Sequence, residues 1–247
     1  MLKVSIISAV YNRCATISAS INSVQMQAYP NITHVIIDGG STDGTMNVVR
    51  ELSTANQVVI SEPDDGIYDA LNKGIKVADG DIVGLLHSDD LFSDAMVITD
   101  IVASFSDPAV QLVYGDLVYV EESNVAKVVR RWISGKFVSR KLRAGWMPPH
   151  PTVFVRKSVF DQLGAYDTSF KISADYDAML RFFKSGVCSS YIPRELVKMR
   201  LGGVSNRGVK NIIIKMKEDY RAIRKNNVGG VGTLVFKSLS KIRQFIT

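Results

Sequence analysis

A chain of 247 residues with 46% hydrophobic content can bury a sizeable core, as one large domain or one domain plus an appendage. Its two cysteines, Cys14 and Cys188, have no CxxC spacing, which argues against a disulfide framework or a zinc site and fits a reducing cytosol. The net charge of +6 is uneven: from Ser205 onward ten Lys and Arg face only two acids, Glu218 and Asp219. Such segregation suggests a near-neutral body with a surface attracted to phosphates or anionic lipid.

In chain order, Val4–Val10 is an apolar run, and its start lacks the basic-then-apolar layout of a signal peptide. Residues 15–27 follow with helical spacing (Ile17, Ile21, Val24) and end near Pro30. Strands are predicted at 34–37 and 57–60, with a helix at 45–52 between them. A helix at 66–77 leads to a short apolar strand at 82–86, then a helix at 94–105 and a strand at 110–114. Alternation of this kind marks a mainly parallel α/β sheet flanked by helices. From about residue 117 the regularity fails. Residues 118–120 and 125–132 suit a hairpin, while 136–151, with MPPHP at 147–151, resists regular structure. A helix over Ala174–Lys184 is supported by Met179, Leu180 and Phe183 on one side. Near the end, Val235, Leu239, Ile242 and Ile246 share one helical face opposite Lys237, Lys241 and Gln244. That face either docks on the domain or lies on a membrane surface. No apolar stretch approaches membrane-spanning length.

Four polar clusters follow predicted strands or open helices: AVYN at 9–12, DGGSTDG at 38–44, EPDDGIYDALNK at 62–73 and HSDD at 87–90. Ligands of open α/β sheets bind at the carboxyl ends of the strands. In the first cluster Tyr11 is suited to stacking on a base. In the second, glycines permit tight turning and close backbone approach, and Asp38 can accept hydrogen bonds from a base or ribose. Singly, each cluster also reads as ordinary turn chemistry, and Asp64 or Asp65 as a helix cap. The adjacent carboxylates Asp89 and Asp90 are costly to hold together without a cation or polar ligand, so a divalent metal shared with a phosphate-bearing substrate is the first expectation.

These four clusters resemble those of the family 2 glycosyltransferases of GT-A fold. The similarity continues through HPTVF at 150–154, LGAYD at 163–167, SADYDAMLR at 173–181 and GGVS at 202–205. It is greatest for bacterial members that build exopolysaccharide and O-antigen repeat units. The resemblance implies a GT-A domain over residues 1–205, with a nucleotide-sugar-binding half at 1–116 and a smaller acceptor-binding half at 117–205. A basic, amphipathic helical extension would follow at 206–247.

The resemblance also assigns roles. Tyr11, Asp38 and Asp65 would hold the nucleoside, most simply uridine, in a donor site that includes Ala9, Gly40, Asn72, Lys73, Ser88 and Asp89. Asp89, with Asp90 beside it and His87 as a further ligand, would carry Mn²⁺ or Mg²⁺ at the donor diphosphate. Asp175 would be the general base of an inverting transfer that gives a β-glycoside. His150, Arg181 and Arg200 are candidates for acceptor or phosphate contact. His150 also reads as a structural histidine, and Arg181 as an i,i+4 partner of Asp177. Trp132 and Trp146 read either as a sugar-stacking platform or as core. Many relatives carry Asp or Asn where His87 stands, and an imidazole lacks that charge. Some relatives take a further metal ligand from a histidine beyond the base, and here the only histidines are His34, His87 and His150.

The implied activity is transfer of a sugar from a nucleotide-sugar donor to a lipid-diphosphate-linked saccharide, by a peripheral protein at the inner face of the cytoplasmic membrane. Two alternatives are a nucleotide-sugar-binding protein with weak or lost turnover, motivated by His87, and a sugar nucleotidyltransferase. The latter usually has a Gly-rich basic loop after the first strand, where this chain has AVYNR at 9–13. No GxGxxG supports a dinucleotide enzyme, and no motif supports nucleic-acid binding.

Overall fold

A computed structural model describes residues 1–201 and 209–243. Strand β1 (Val4–Val10) lies between β2 (Ile32–Asp38) and β4 (Ile82–Leu85), with β3 (Gln57–Ser61) outside β2, and these four strands are parallel. Beyond β4 the sheet is mixed. Strand β8 (Phe154–Arg156) runs antiparallel to β4 and to β6 (Leu112–Val120), and β6 pairs in parallel with β9 (Ser189–Arg200). The short β5 (Leu91–Phe92) closes the far edge on β9, and β7 (Val128–Trp132) forms the hairpin with β6. The nine strands among the described residues belong to one sheet, and β6 runs through the 116/117 boundary, so the two halves are two ends of one layer.

Helices α1 (Ile17–Gln25), α2 (Thr45–Glu51) and α3 (Ile67–Val77) follow β1, β2 and β3; α4 (Val97–Ser104) follows β5. Downstream come α5 (Lys157–Leu163), α6 (Ala174–Lys184), α7 (Val209–Lys225) and α8 (Val231–Arg243). The central strands are apolar on both sides because both sides are covered. Ile7, Val35, Val83 and Leu85 share a core with Leu71 of α3 and Met179 and Leu180 of α6. Val4, Ile6 and Ile82 instead join Val97, Ile98 and Ile101 of α4. Gly84 is dictated by this packing, since a Cβ there would lie 2.1 Å from the ring of its cross-strand partner Phe154. A polar strap crosses the same strands: Ser8 Oγ donates to the Leu86 carbonyl (2.6 Å) and lies 3.0 Å from His34 Nε2. Burial pushes the His34 imidazole down to about 4.

The structure differs from the sequence expectation in three places. Strand β6 does not stop at 114. It continues past Gly115, where a Cβ would meet Leu196 of β9 at 2.5 Å. Strand β9 is absent from the sequence reading because Pro193 and four charged residues between 194 and 200 break its apolar pattern; it is mostly half-buried. Third, α8 docks by its polar side. Lys237 is buried and pairs with Asp219 at 2.8 Å, whereas Val235, Phe236 and Leu239 are exposed. The motif GGVS at 202–205, Gln244 and Ile246 lie outside the described residues, and no described helix is long and apolar enough to cross a membrane.

Candidate active site

Because β1, β2, β3 and β4 are parallel, their carboxyl ends bring Tyr11, Asp38, Glu62 and His87 to one edge of the sheet. The connections there are bonded to one another. The Asn12 amide donates to Ser41 Oγ (2.8 Å), and the Thr42 amide to Asn12 Oδ1 (2.9 Å). Asn12 adopts φ +51°, a conformation that asparagine tolerates better than most residues. Tyr11 is left 59% exposed at the mouth of this crevice, free to stack on a planar ligand.

Asp38, expected to hold the nucleoside, is already bonded within the protein. It is fully buried, accepts the Ser41 amide at 3.2 Å on both oxygens and takes the Ser61 hydroxyl at 2.6 Å. It therefore shapes the turn through Gly40 (φ +83°) and ties β2 to β3. Asp64, not singled out for the ligand, lies over Gly39, where a Cβ would come within 2.3 Å of its Oδ2. Its Oδ1 accepts the Gly66 amide (2.9 Å), while Asp65 is exposed. The doublet thus divides its work: one carboxylate fixes the turn and the other remains open to solvent and ligand.

Asn72 and Lys73 also serve the scaffold. Asn72 exchanges two bonds with the Tyr166 backbone (2.8 and 2.9 Å). Lys73 donates to the Pro63 carbonyl (2.8 Å) and pairs with Glu62 (3.0 Å) and Asp69 (3.3 Å). Arg181 does not pair with Asp177. Its guanidinium donates to the carbonyls of Leu163 (2.9 Å) and Ala165 (2.6 Å), holding the turn at Gly164. Asp177 instead accepts Lys225 Nζ (3.1 Å), at the end of α7, and Asn226 Nδ2 (2.9 Å), just beyond it.

After β4, His87 and Asp89 are half-buried, while Ala9 and Ser88 are buried. Asp90, expected beside Asp89 as a metal ligand, is only 1% exposed; one of its oxygens accepts the Arg200 amide (3.3 Å). Burial, with the Asp89 charge beside it, pushes the Asp90 carboxyl well above its ordinary range. Asp89 and His87 are the more accessible pair of this turn. The Arg200 guanidinium donates to the Asp89 carbonyl (3.1 Å). Burial lowers the His87 imidazole against the opposing pull of Asp89 and Asp175, so it is neutral, with a lone pair to offer. Among the described residues no group of three or more His, Cys, Asp or Glu could hold a metal by itself. A two-ligand set completed by substrate phosphates fits Mg²⁺ and Mn²⁺ chemistry.

Across from His87 stands Asp175, in the first turn of α6. Its Oδ1 accepts the Tyr176 amide (2.8 Å) and lies 3.2 Å from the Tyr68 hydroxyl, which also reaches the Ile172 carbonyl (2.7 Å). His150 is buried and bonds the Tyr166 hydroxyl through Nε2 (2.7 Å), with its ring centroid 6.2 Å from that of His87. Burial brings His150 down to about 4. It is thus bonded to a side chain of the scaffold, and it also lines the cavity. Tyr68 and Tyr166 were missed in the sequence. Tyr68 lies inside the GIYDA segment at 66–70, but nothing local in a sequence reveals a bond to a residue 107 positions away.

Asp175, His87, Trp132 and Trp146 line one cavity of about 810 Å³, together with Lys141 and Lys215. Trp146 also belongs to an aromatic cluster with Tyr114, Phe137 and Phe183 and donates Nε1–H to the Ser134 carbonyl (2.9 Å), so it is both core and wall.

An open α/β sheet with a ligand crevice at its parallel strand ends, and a carboxylate facing that crevice from a separate helix, defines an enzyme of the GT-A class. The model of "Glycosyl transferase family 2" matches residues 5–164, and the chain belongs to that family. It is a glycosyltransferase. An uncharacterised glycosyltransferase of Mycobacterium tuberculosis is 32% identical over 186 residues, covering 72% of this chain and 68% of the relative. A PGL/p-HBAD biosynthesis glycosyltransferase of Mycobacterium bovis is 28% identical over 218 residues, covering 85% and 82%. Two solved structures share the fold. The mannosyltransferase PcManGT of Pyrobaculum calidifontis, in complex with GDP-Man and Mn²⁺, has a TM-score of 0.69 at 20% identity and covers 91% of this chain. S. aureus TarS 1-349, in complex with UDP-GlcNAc, has a TM-score of 0.70 at 17% identity and covers 90%. This chain spans 64% and 66% of those two chains.

Proposed function

We propose that this glycosyltransferase inverts the anomeric centre of a UDP-linked sugar and transfers it to a hydroxyl of a lipid-diphosphate-linked saccharide in surface-polysaccharide assembly. The observation that carries the reading is Asp175, held by the Tyr176 amide and Tyr68 and lining the same cavity as His87. In this reading the Asp175 carboxylate takes the proton from the acceptor hydroxyl as that oxygen attacks the anomeric carbon. Attack from the face opposite the leaving nucleotide converts an α-linked donor into a β-glycoside. Tyr11 stacks on the base, Asp65 accepts from the nucleoside, and Asp38 acts indirectly by fixing the turn that offers backbone amides. Asp89 and His87 would hold Mn²⁺ or Mg²⁺, which when bound offsets charge on the departing diphosphate.

The acceptor reading rests on the cavity wall, where aromatic Trp132 and Trp146 suit a saccharide and Lys141 and Lys215 suit phosphate. A peripheral position at the anionic inner face of the cytoplasmic membrane is supported by the exposed apolar residues of α8, including Phe236 and Leu239. Exposed Lys217, Arg221 and Arg224 on neighbouring α7 add charge attraction. Incubation with labelled nucleotide sugars and a synthetic lipid-diphosphate sugar tests the proposal. A β-linked product that disappears with Asp175→Asn is expected. No product from any common UDP, GDP or dTDP donor, or an Asp175→Asn variant as active as wild type, would sink it.

A further inference from the structure

The two acids in the basic tail, Glu218 and Asp219, sit side by side on α7 and both point at the start of α6. Glu218 accepts three consecutive backbone amides, those of Lys171 (2.8 Å), Ile172 (2.8 Å) and Ser173 (3.0 Å). Asp219, 5% exposed, accepts the Ser173 hydroxyl (2.8 Å) and pairs with Lys237 of α8 (2.8 Å). Helix α6 begins at Ala174, with Ser173 as its N-cap residue, yet Ser173 makes no side-chain capping bond of its own. Its hydroxyl is spent on Asp219. The amides of the N-cap residue and of the two residues leading into the helix are satisfied from a helix 45–47 residues away.

The consequence falls on Asp175. The segment Lys171–Ile172–Ser173 is gripped on its amide side by Glu218 and on its carbonyl side by Tyr68, whose hydroxyl reaches both Ile172 and Asp175. Arg221 and Lys225 of α7 extend the grip, lying 4.2 and 5.3 Å from the Phe170 ring centroid. Charge-assisted bonds to three amides are stronger and more directional than neutral ones. We infer that Glu218 and Asp219 are positioning residues for the sugar-transfer step, so that α7 acts as a buttress fixing the carboxylate of Asp175 against the acceptor. This deepens the proposed function and rests on its reading of Asp175 as the base. It also changes the meaning of the C-terminal extension, which is a part of the catalytic wall as well as a candidate membrane-facing surface.

The test uses the full chain and four readouts: kcat, donor Kd by calorimetry, thermal midpoint, and hydrogen exchange across residues 170–176. Glu218→Ala is expected to lower kcat about tenfold to a hundredfold, the cost of a small misplacement of a reacting group. Donor Kd should stay within about twofold, because no donor-side residue touches Glu218. Protection should fall at Ile172 and Ser173 before the chain unfolds globally. Glu218→Gln keeps one carbonyl oxygen for Ile172 and Ser173 and should recover part of kcat; Asp219→Asn should fall between. Unchanged kcat in folded Glu218→Ala, or a fall matched by donor affinity and folded fraction, overturns the inference. If wild type neither transfers nor hydrolyses any donor, the reading of Asp175 as base fails. Hydrogen exchange then still judges the clamp: local loss of protection upholds it, and unchanged protection overturns it.

Discussion

The crevice at the ends of the parallel strands and the wall built from α6, α7 and α8 are held together at different ranges. In the crevice many bonds are short-range: Asp38 to Ser41, Asp43 to Thr45 and Asp64 to Gly66 span three, two and two residues. Neighbouring turns then meet because parallel strands end at the same level. In the wall, carboxylates reach across the chain. Glu218 to Lys171 spans 47 residues, and Asp177 to Asn226 spans 49. The crevice is therefore a property of local sequence repeated along one sheet edge, whereas the wall exists only when α7 docks. Damage to the wall should cost turnover while sparing the donor site.

The largest effect is expected from Asp175→Asn, which removes the base and should lower transfer about 10²- to 10⁴-fold with donor Kd unchanged. Single-turnover kinetics beside calorimetry check this, and a parallel loss of donor binding would dissolve the division between the two regions. Next comes pH, because one deeply buried histidine lies in the parallel sheet, in β2, and another lines the cavity. His34 and His150 both fall to about 4 on burial, from an ordinary value near 6.5. Between those values the unfolded chain binds more protons than the folded one. Stability is therefore full above about pH 6.5 and is lost as pH falls through about 4, by roughly 3 kcal/mol per histidine at most. Urea midpoints from pH 4.5 to 7.5 should show a slope that His34→Gln and His150→Gln each reduce. A slope removed by one variant alone would locate the sensitivity in a single region.

Asp177→Ala should destabilise the chain by about 1 kcal/mol, since it removes one of the two acceptors of buried Asn226 Nδ2 and leaves only the Ala222 carbonyl; the exposed Lys225 adds little. Chemical denaturation measures the loss, and Mn²⁺-dependent donor binding should survive in the folded protein. Asp89→Asn should show the reverse pattern: stability near wild type, with donor affinity in Mn²⁺ reduced about tenfold, or ~1.4 kcal/mol. The smallest effect is expected from Phe236→Ser with Leu239→Ser. Sedimentation with anionic phospholipid vesicles should show about a tenfold weaker partition, while kcat on a soluble acceptor is unchanged.

Much of the crevice was legible in the sequence. The order of β1, β2, β3 and β4 follows from apolar runs separated by helical spacing, and each polar cluster lies at the predicted strand end. Even there, residue type did not settle the role. Asp38, Asn72 and Lys73 have the chemistry to meet a ligand, yet all three are spent on scaffold bonds. Asp64 and Asp65, adjacent and identical, differ because one packs on Gly39 and the other faces solvent.

By itself, the sequence determined the α/β class, the family and the edge of the sheet where the chemistry sits. Those features depend on periodicity and on short motifs, which are local. Only the tertiary structure decided that β6 pairs with the charge-rich β9, that Asp90 is buried while Asp89 is not, and that α8 docks through Lys237 with Phe236 outward. It alone converted Glu218 and Asp219, two acids in a basic tail, into the grip on the helix carrying Asp175. The physical reason is common to all of these. A buried charge is tolerated where a partner meets it, and that partner can come from any point along the chain.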